Sequence, residues 1–207
     1  LVRNPSIFLL DEPLSNLDAK LRVEARTFLK NLQKELGVTT IFVTHDQSEA
    51  MAMATKIAVL NKGIIKQVAD PYELYMKPSD MFTAGFVGSP EMNMIPGKIV
   101  KVGNTWKFSS ADFALDLNGI KFDREAEVFM GVRPEHVVIS ADGINGIIST
   151  VEPLGSVTYF EVKIGNTEIM MQYTGLARID AGSEIKVKFA PDRLLFYEKT
   201  TQKLVNY

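Results

Sequence analysis

The stretch SIFLLDEPLSNLDAKLR, residues 6–22, sets four bulky apolar residues, Ile7 to Leu10, directly against two adjacent carboxylates, Asp11 and Glu12. A short apolar run bounded by turn signals reads as a strand buried on both faces. After it, Leu17, Leu21, Phe28, Leu29, Leu32 and Leu36 recur at helical spacing, and Gly37 is placed to stop the helix. TTIFVTH, from Thr39, is β-branched and aromatic and reads as a second buried strand. Strand, helix, strand is the βαβ unit of a parallel sheet. Like charges side by side at the end of a buried strand are costly, and metal-assisted phosphoryl transfer uses that arrangement. One carboxylate holds Mg²⁺, usually through water, while the other polarises an attacking water in line with the γ-phosphate. A strand ending in Asp-Glu also opens many solvated loops, so the pair alone leaves both readings standing.

Downstream, DQSEAMAMA opens a further helix, with Asp46 and Glu49 spaced as a capping box. KIAVLNKGIIKQVA reads as a hairpin turning at Asn61-Lys62-Gly63. DPYELYMKPSDMFTAGFVGSP holds two short helices and ends in Gly88, Ser89 and Pro90, punctuation that marks a domain boundary and divides the chain into residues 1–88 and 89–207. From about Met92 the pattern becomes short alternating strands, such as EIKVKFA, with Ile185, Val187 and Phe189 on one face and Lys186 and Lys188 on the other. Turn residues recur at Gly103-Asn104, Asn118-Gly119, Asp142-Gly143, Gly165-Asn166 and Ala181-Gly182, so the second part is an all-β sandwich or barrel.

The whole chain, at 207 residues, suits two small domains, and its 23 Lys and Arg against 25 Asp and Glu give no basic excess to grip a phosphate backbone. Residues 90–207 carry 13 basic and 15 acidic side chains, without aromatics interleaved among the basic ones, and nucleic acid is excluded as the main partner. No apolar run has membrane-spanning length and no secretion signal opens the chain, which reads as soluble. Cysteine is absent, which removes disulfides, thiolate catalysis and Cys-ligated metals. The opening LVRNP has no Met and reads as the end of a helix, so the sequence is expected to be a fragment.

Asp11-Glu12-Pro13 is followed by Ser15-Asn16-Leu17-Asp18, and His45 comes 33 residues after Glu12, at the end of the next strand, within VTHDQSEA. In this order the motifs resemble those of the ATP-binding-cassette (ABC) ATPases: a Walker B strand, a D-loop and a switch histidine. The resemblance implies that Asp11 serves Mg²⁺ through water, Glu12 is the general base, and His45 contacts the γ-phosphate. It places Ser15 and Asp18 at a dimer interface, close to the opposite subunit's nucleotide. The family's phosphate loop, G-x-x-x-x-G-K-[ST], and its LSGGQ signature occur nowhere in the sequence, so this chain alone is expected neither to bind nor to hydrolyse ATP.

LNKGIIKQVADPYELYMKPSDMFTAGFVGSPEMNMIPGKI and the later MGVRPEHVVIS resemble importer ATPases of the maltose and multiple-sugar type. The fold this implies is a partial α/β nucleotide-binding domain, a parallel βαβ unit, followed by an all-β, OB-like barrel regulatory domain. The implied partners are a second ATPase subunit and transmembrane permease subunits, with the chain peripheral on the cytoplasmic face of the membrane. Importers of polyamine, iron or glycerol phosphate share this architecture, and a regulatory or dimerisation module without catalysis is the alternative from another class. Trp106 is expected in the core or on the barrel surface, and Met51, Met53, Met92 and Met94 in core packing, with an adaptable partner surface as the alternative. Arg133 and Glu135 are expected to pair with each other or with the ATPase half, or to sit in a solvated turn.

Overall fold

The computed structural model describes residues 6–205; the helix end expected at LVRNP lies outside them. The chain forms two compact units, Leu1–Met76 and Lys77–Tyr207, so the Gly88-Ser89-Pro90 punctuation falls inside the second.

In the first unit, β1 (Ile7–Asp11), α1 (Ala19–Leu36) and β2 (Thr39–Val43) make the expected right-order βαβ unit, with β1 and β2 parallel and in register from Ile7 opposite Thr39 to Asp11 opposite Val43. Asp18 caps α1 by accepting from the Leu21 N–H, and Gly37 ends it in the left-handed conformation, φ 62°, where a Cβ would be strained. Burial on both faces of these strands is not what the structure has. Phe8, Leu10, Thr40 and Phe42 share the covered face, whereas Ile7, Leu9, Ile41 and Val43 are exposed, because the described sheet is two-stranded and covered on one side only.

Next come α2 (Gln47–Met53) and an antiparallel hairpin of β3 (Ile57–Asn61) and β4 (Ile64–Ala69). The hairpin turns on Lys62 and Gly63, both at positive φ, the type I′ geometry that matches strand twist. Helix α3 (Pro71–Met76) packs on β4 and closes the unit. Among the described residues no helix is long and apolar enough to cross a membrane.

The second unit opens with α4 (Met81–Phe86), capped by Asp80. Nine strands follow: β5 (Asn93–Val102), β6 (Thr105–Ser109), β7 (Ala114–Asp116), β8 (Ala126–Val132), β9 (Val137–Pro153), β10 (Val157–Ile164), β11 (Thr167–Thr174), β12 (Glu184–Phe189) and β13 (Leu195–Glu198). They pair into two antiparallel sheets, ordered β11-β10-β9-β12 and β13-β8-β5-β6-β7. Both sheets contribute to one core, with Ile95, Ile99, Phe108 and Met130 from one and Ile148, Phe160, Ile169 and Phe189 from the other. Of the two placements open to Trp106, the structure has it partly buried against the core, edge-on to Phe122.

Asp142-Gly143, expected to end a strand, instead lies inside the long β9. Opposite β12 the register jumps from Asn145–Lys186 to Ile139–Val187, so residues 140–144 loop out of the strand as an extended bulge. Asp142 tethers the bulge: its carboxylate accepts from the Ser140 hydroxyl and from Lys188 Nζ, and these bonds, that from Ser140 foremost, lower its pKa to about 2. Arg133 departs from the solvated alternative. It is buried, and Nη1 donates to the Val87 carbonyl oxygen at 2.6 Å within the same unit.

Candidate functional site

The site forms at the carboxyl ends of the two parallel strands, where ligands commonly bind in open α/β sheets. After Asp11 the backbone leaves β1 through Glu12, a non-glycine residue at φ 44°. The Glu12 N–H still donates to Val43 O at 2.9 Å, so Glu12 stays locked to the end of β2 while its side chain swings out. The Ser15 hydroxyl and N–H both donate to Glu12 O, at 3.0 and 3.3 Å, and hold the turn. Left-handed backbone at a carboxylate costs of order 1–2 kcal/mol, and such strain concentrates at functional positions.

Equal strand lengths then bring the two candidate catalytic residues together. His45 Nδ1 and Glu12 Oε1 are 3.0 Å apart, with the imidazole largely exposed and the carboxylate about half so. A carboxylate only accepts, so Nδ1 is the donor in this pair. Glu12, Ser15 and His45 line one cleft with Arg22, Thr44, Asp46 and Glu49. Asp11 and Asp18 lie outside that lining: Asp11 is exposed at the end of β1, and Asp18 is occupied as the cap of α1.

Behind His45 runs a polar network that pattern reading missed. Asp46 caps α2 by accepting from the Ser48 and Glu49 N–H groups. The expected capping box closes through a hydroxyl: the Asp46 N–H donates to Thr44 Oγ1 at 2.9 Å, and that hydroxyl donates to Glu49 Oε2 at 2.7 Å. Glu49 is buried, and Arg22 of α1 faces it, with Nε 3.8 Å from Glu49 Oε1 and Nη1 3.4 Å from Asp46 Oδ2. The Ser48 hydroxyl, two backbone N–H groups and the Arg22 charge hold Asp46 below the usual carboxylate range against the opposing pull of partial burial. Further along α1, Arg26 reaches the Ser48 hydroxyl and Lys30 the Ala52 carbonyl, so three cations spaced four apart join the helices.

Among the described residues no group of three or more His, Asp or Glu side chains could cage a metal ion. A Mg²⁺ ion held by one carboxylate, water and phosphate oxygens needs no such cage, and the exposed Asp11 fits that mode.

Comparison with known proteins bears on both units. Residues 88–137 match the MalK OB fold domain, and residues 130–196 match the TOBE domain. The chain is 39% identical over 221 residues to the trehalose/maltose import ATP-binding protein MalK of Thermococcus litoralis, covering 99% of this chain and 59% of that protein. It is 42% identical over 196 residues to the maltose/maltodextrin import ATP-binding protein MalK of Vibrio vulnificus, covering 90% and 53% respectively. Against the sn-glycerol-3-phosphate import ATP-binding protein UgpC of Cupriavidus pinatubonensis the identity is 38% over 219 residues, covering 99% and 59%. The chain therefore spans between about half and three-fifths of the length of these relatives. Two overlapping domain matches, together with 39% identity across 99% of the chain, place it in the ABC importer ATP-binding family of the maltose and multiple-sugar type, as its C-terminal part.

Proposed function

We propose that this chain supplies the hydrolytic half-site and the regulatory domain of a subunit that spends ATP to drive solute import. The observation that carries the reading is the 3.0 Å contact between Glu12 and His45 at the ends of two parallel strands. Bound ATP with Mg²⁺ would supply the γ-phosphoryl group and the charge neutralisation its transfer needs. Glu12 takes the proton of the attacking water as general base. His45, oriented by its contact with Glu12, reaches the γ-phosphate and keeps base and water in line. Asp11 would hold Mg²⁺ through water. Ser15 and Asp18 form the edge presented to the nucleotide of a second, paired copy.

In this assignment residues 1–88 are part of the α/β nucleotide-binding domain and residues 89–207 the regulatory domain. Permease subunits hold the pair at the cytoplasmic face of the membrane. Sugar is the solute favoured, because relatives named for trehalose, maltose and maltodextrin import cover 90% or more of the chain. Glycerol phosphate is the second reading, on comparable similarity to UgpC.

In the full-length subunit, Glu12→Gln is expected to lower kcat at least a hundredfold with ATP affinity little changed, and His45→Ala to do the same. Wild-type turnover in either variant overturns the role given to that residue. The 207 residues contain no phosphate-cradling loop, so calorimetry on this chain by itself should show no micromolar ATP binding.

A further inference from the structure

We propose that Arg22 is a positioning residue of this site, clamping the turn that carries Glu12 to the loop that carries His45. The inference rests on reading Glu12 and His45 as the hydrolytic pair. Those two side chains arrive on separate segments, and the contact between them is exposed, so something less exposed must fix their separation.

One guanidinium touches both segments. Nη2 donates to the Leu17 carbonyl at 3.0 Å, within the turn that Ser15 ties to Glu12. Nη1 reaches Asp46, the neighbour of His45, at 3.4 Å, and Nε faces the buried Glu49 at 3.8 Å. Nε is shut off from solvent and lacks a hydrogen-bond partner, being at ion-pair but not hydrogen-bond distance from Glu49. Glu49 is held in turn by the Thr44 hydroxyl, on the other side of His45. The chain of contacts runs from Glu12 through the turn, Arg22, Asp46 and Thr44 to His45, without passing through the exposed pair.

A planar fork can span a carbonyl and two carboxylates at once, whereas an ammonium is a single point of charge. Arg22→Lys therefore separates the two things Arg22 could do. Lysine can neutralise Glu49, which preserves folding, but it cannot hold Leu17 and Asp46 together. Arg22→Gln combined with Glu49→Gln removes both charges, leaves no unpaired buried carboxylate, and checks the result by another route.

Two measurements test this. The chain has two histidines, so labelled imidazole signals in NMR report His45, with His136 in the other unit as internal reference. Both variants are expected to shift the His45 signals and leave those of His136 in place. In the full-length subunit assembled with its permease, Arg22→Lys is expected to lower kcat at least tenfold with KM for ATP within twofold, since misplacement of the pair by a fraction of an ångström acts on turnover. Unchanged His45 signals in both variants, or wild-type kcat in Arg22→Lys, overturns the role of Arg22 while leaving Glu12 and His45 as assigned. If instead Glu12→Gln hydrolyses ATP normally, the reading of the pair is what fails, and the hydrolytic consequence given to Arg22 falls with it.

Discussion

Replacing Glu12 separates backbone strain from chemistry. The residue sits at φ 44° with its amide bonded to Val43 O. Glu12→Ala and Glu12→Gly both remove the carboxylate and its exposed contact with His45, a contact that by itself contributes about 0.2–1 kcal/mol. They differ in what the backbone tolerates. Alanine keeps the left-handed cost of about 1–2 kcal/mol, and glycine is free of it. Glycine gives back roughly 0.5–1 kcal/mol through the greater freedom of its unfolded chain. The Gly variant should therefore hold the end of β1 more firmly than the Ala variant by about 0.5–1 kcal/mol, a two- to fivefold difference in opening. Hydrogen exchange on the peptide covering residues 7–18 reads this difference locally, without requiring the two units to unfold together. Hydrolysis in the full-length subunit should be lost in both. Equal exchange in the two variants, or faster exchange in Gly, would show that Glu12 is unstrained and that its conformation says nothing about its work.

Three further outcomes are expected from the second unit. A Cβ at Gly143 would collide with the Val187 carbonyl, lying 2.6 Å from its carbon, so Gly143→Ala should destabilise the unit by about 1–3 kcal/mol and lower its melting temperature by several degrees; an unchanged transition refutes the tight seating of the bulge. Burial lowers the pKa of His136 below 6.5, outweighing the opposing pull of Glu135, so the unfolded chain takes up the proton first; stability should be full above pH 6.5 and decline as pH falls below it. His136→Gln should flatten that part of the stability profile in denaturant titrations, and a profile identical to wild type counts against the assignment. Asp142, with its pKa lowered to about 2, contributes its tether fully above its ordinary 3.8 and loses it as pH falls through about 2; a carboxyl resonance titrating near 3.8 would dissolve the bond to Lys188.

The βαβ unit that carries Glu12 and His45 was legible in the periodicity, whereas these two residues stood out only through the resemblance to the ABC ATPases. Two short strands joined by one helix run parallel, and residues just past their ends must meet. Arg22 was not legible, since a cation on a helix looks the same in sequence whether it faces water or a buried carboxylate. The spacing of Arg22, Arg26 and Lys30 was the available signal, set among leucines whose own helical spacing is the stronger pattern in α1. The exposure of Leu9 and Ile41 was not legible for a related reason: an apolar run says what a strand would cover, and only the number of neighbouring strands and helices decides whether it is covered. Asp142-Gly143 carries the chemistry of a turn, and a bulge uses the same chemistry without ending the strand.

The seam between α1 and α2 has a mechanical consequence. At its Arg22 end the contacts are partly sheltered and multiple, while at Arg26 and Lys30 they are single, exposed hydrogen bonds that water replaces at almost no cost. Two helices joined by leucines would have to expose apolar surface in order to part. Joined in this graded way, α2 is gripped at its first turn, where Asp46, Ser48 and Glu49 all meet cations of α1, while its far end is tied back by the exposed bond from Lys30 to Ala52 O.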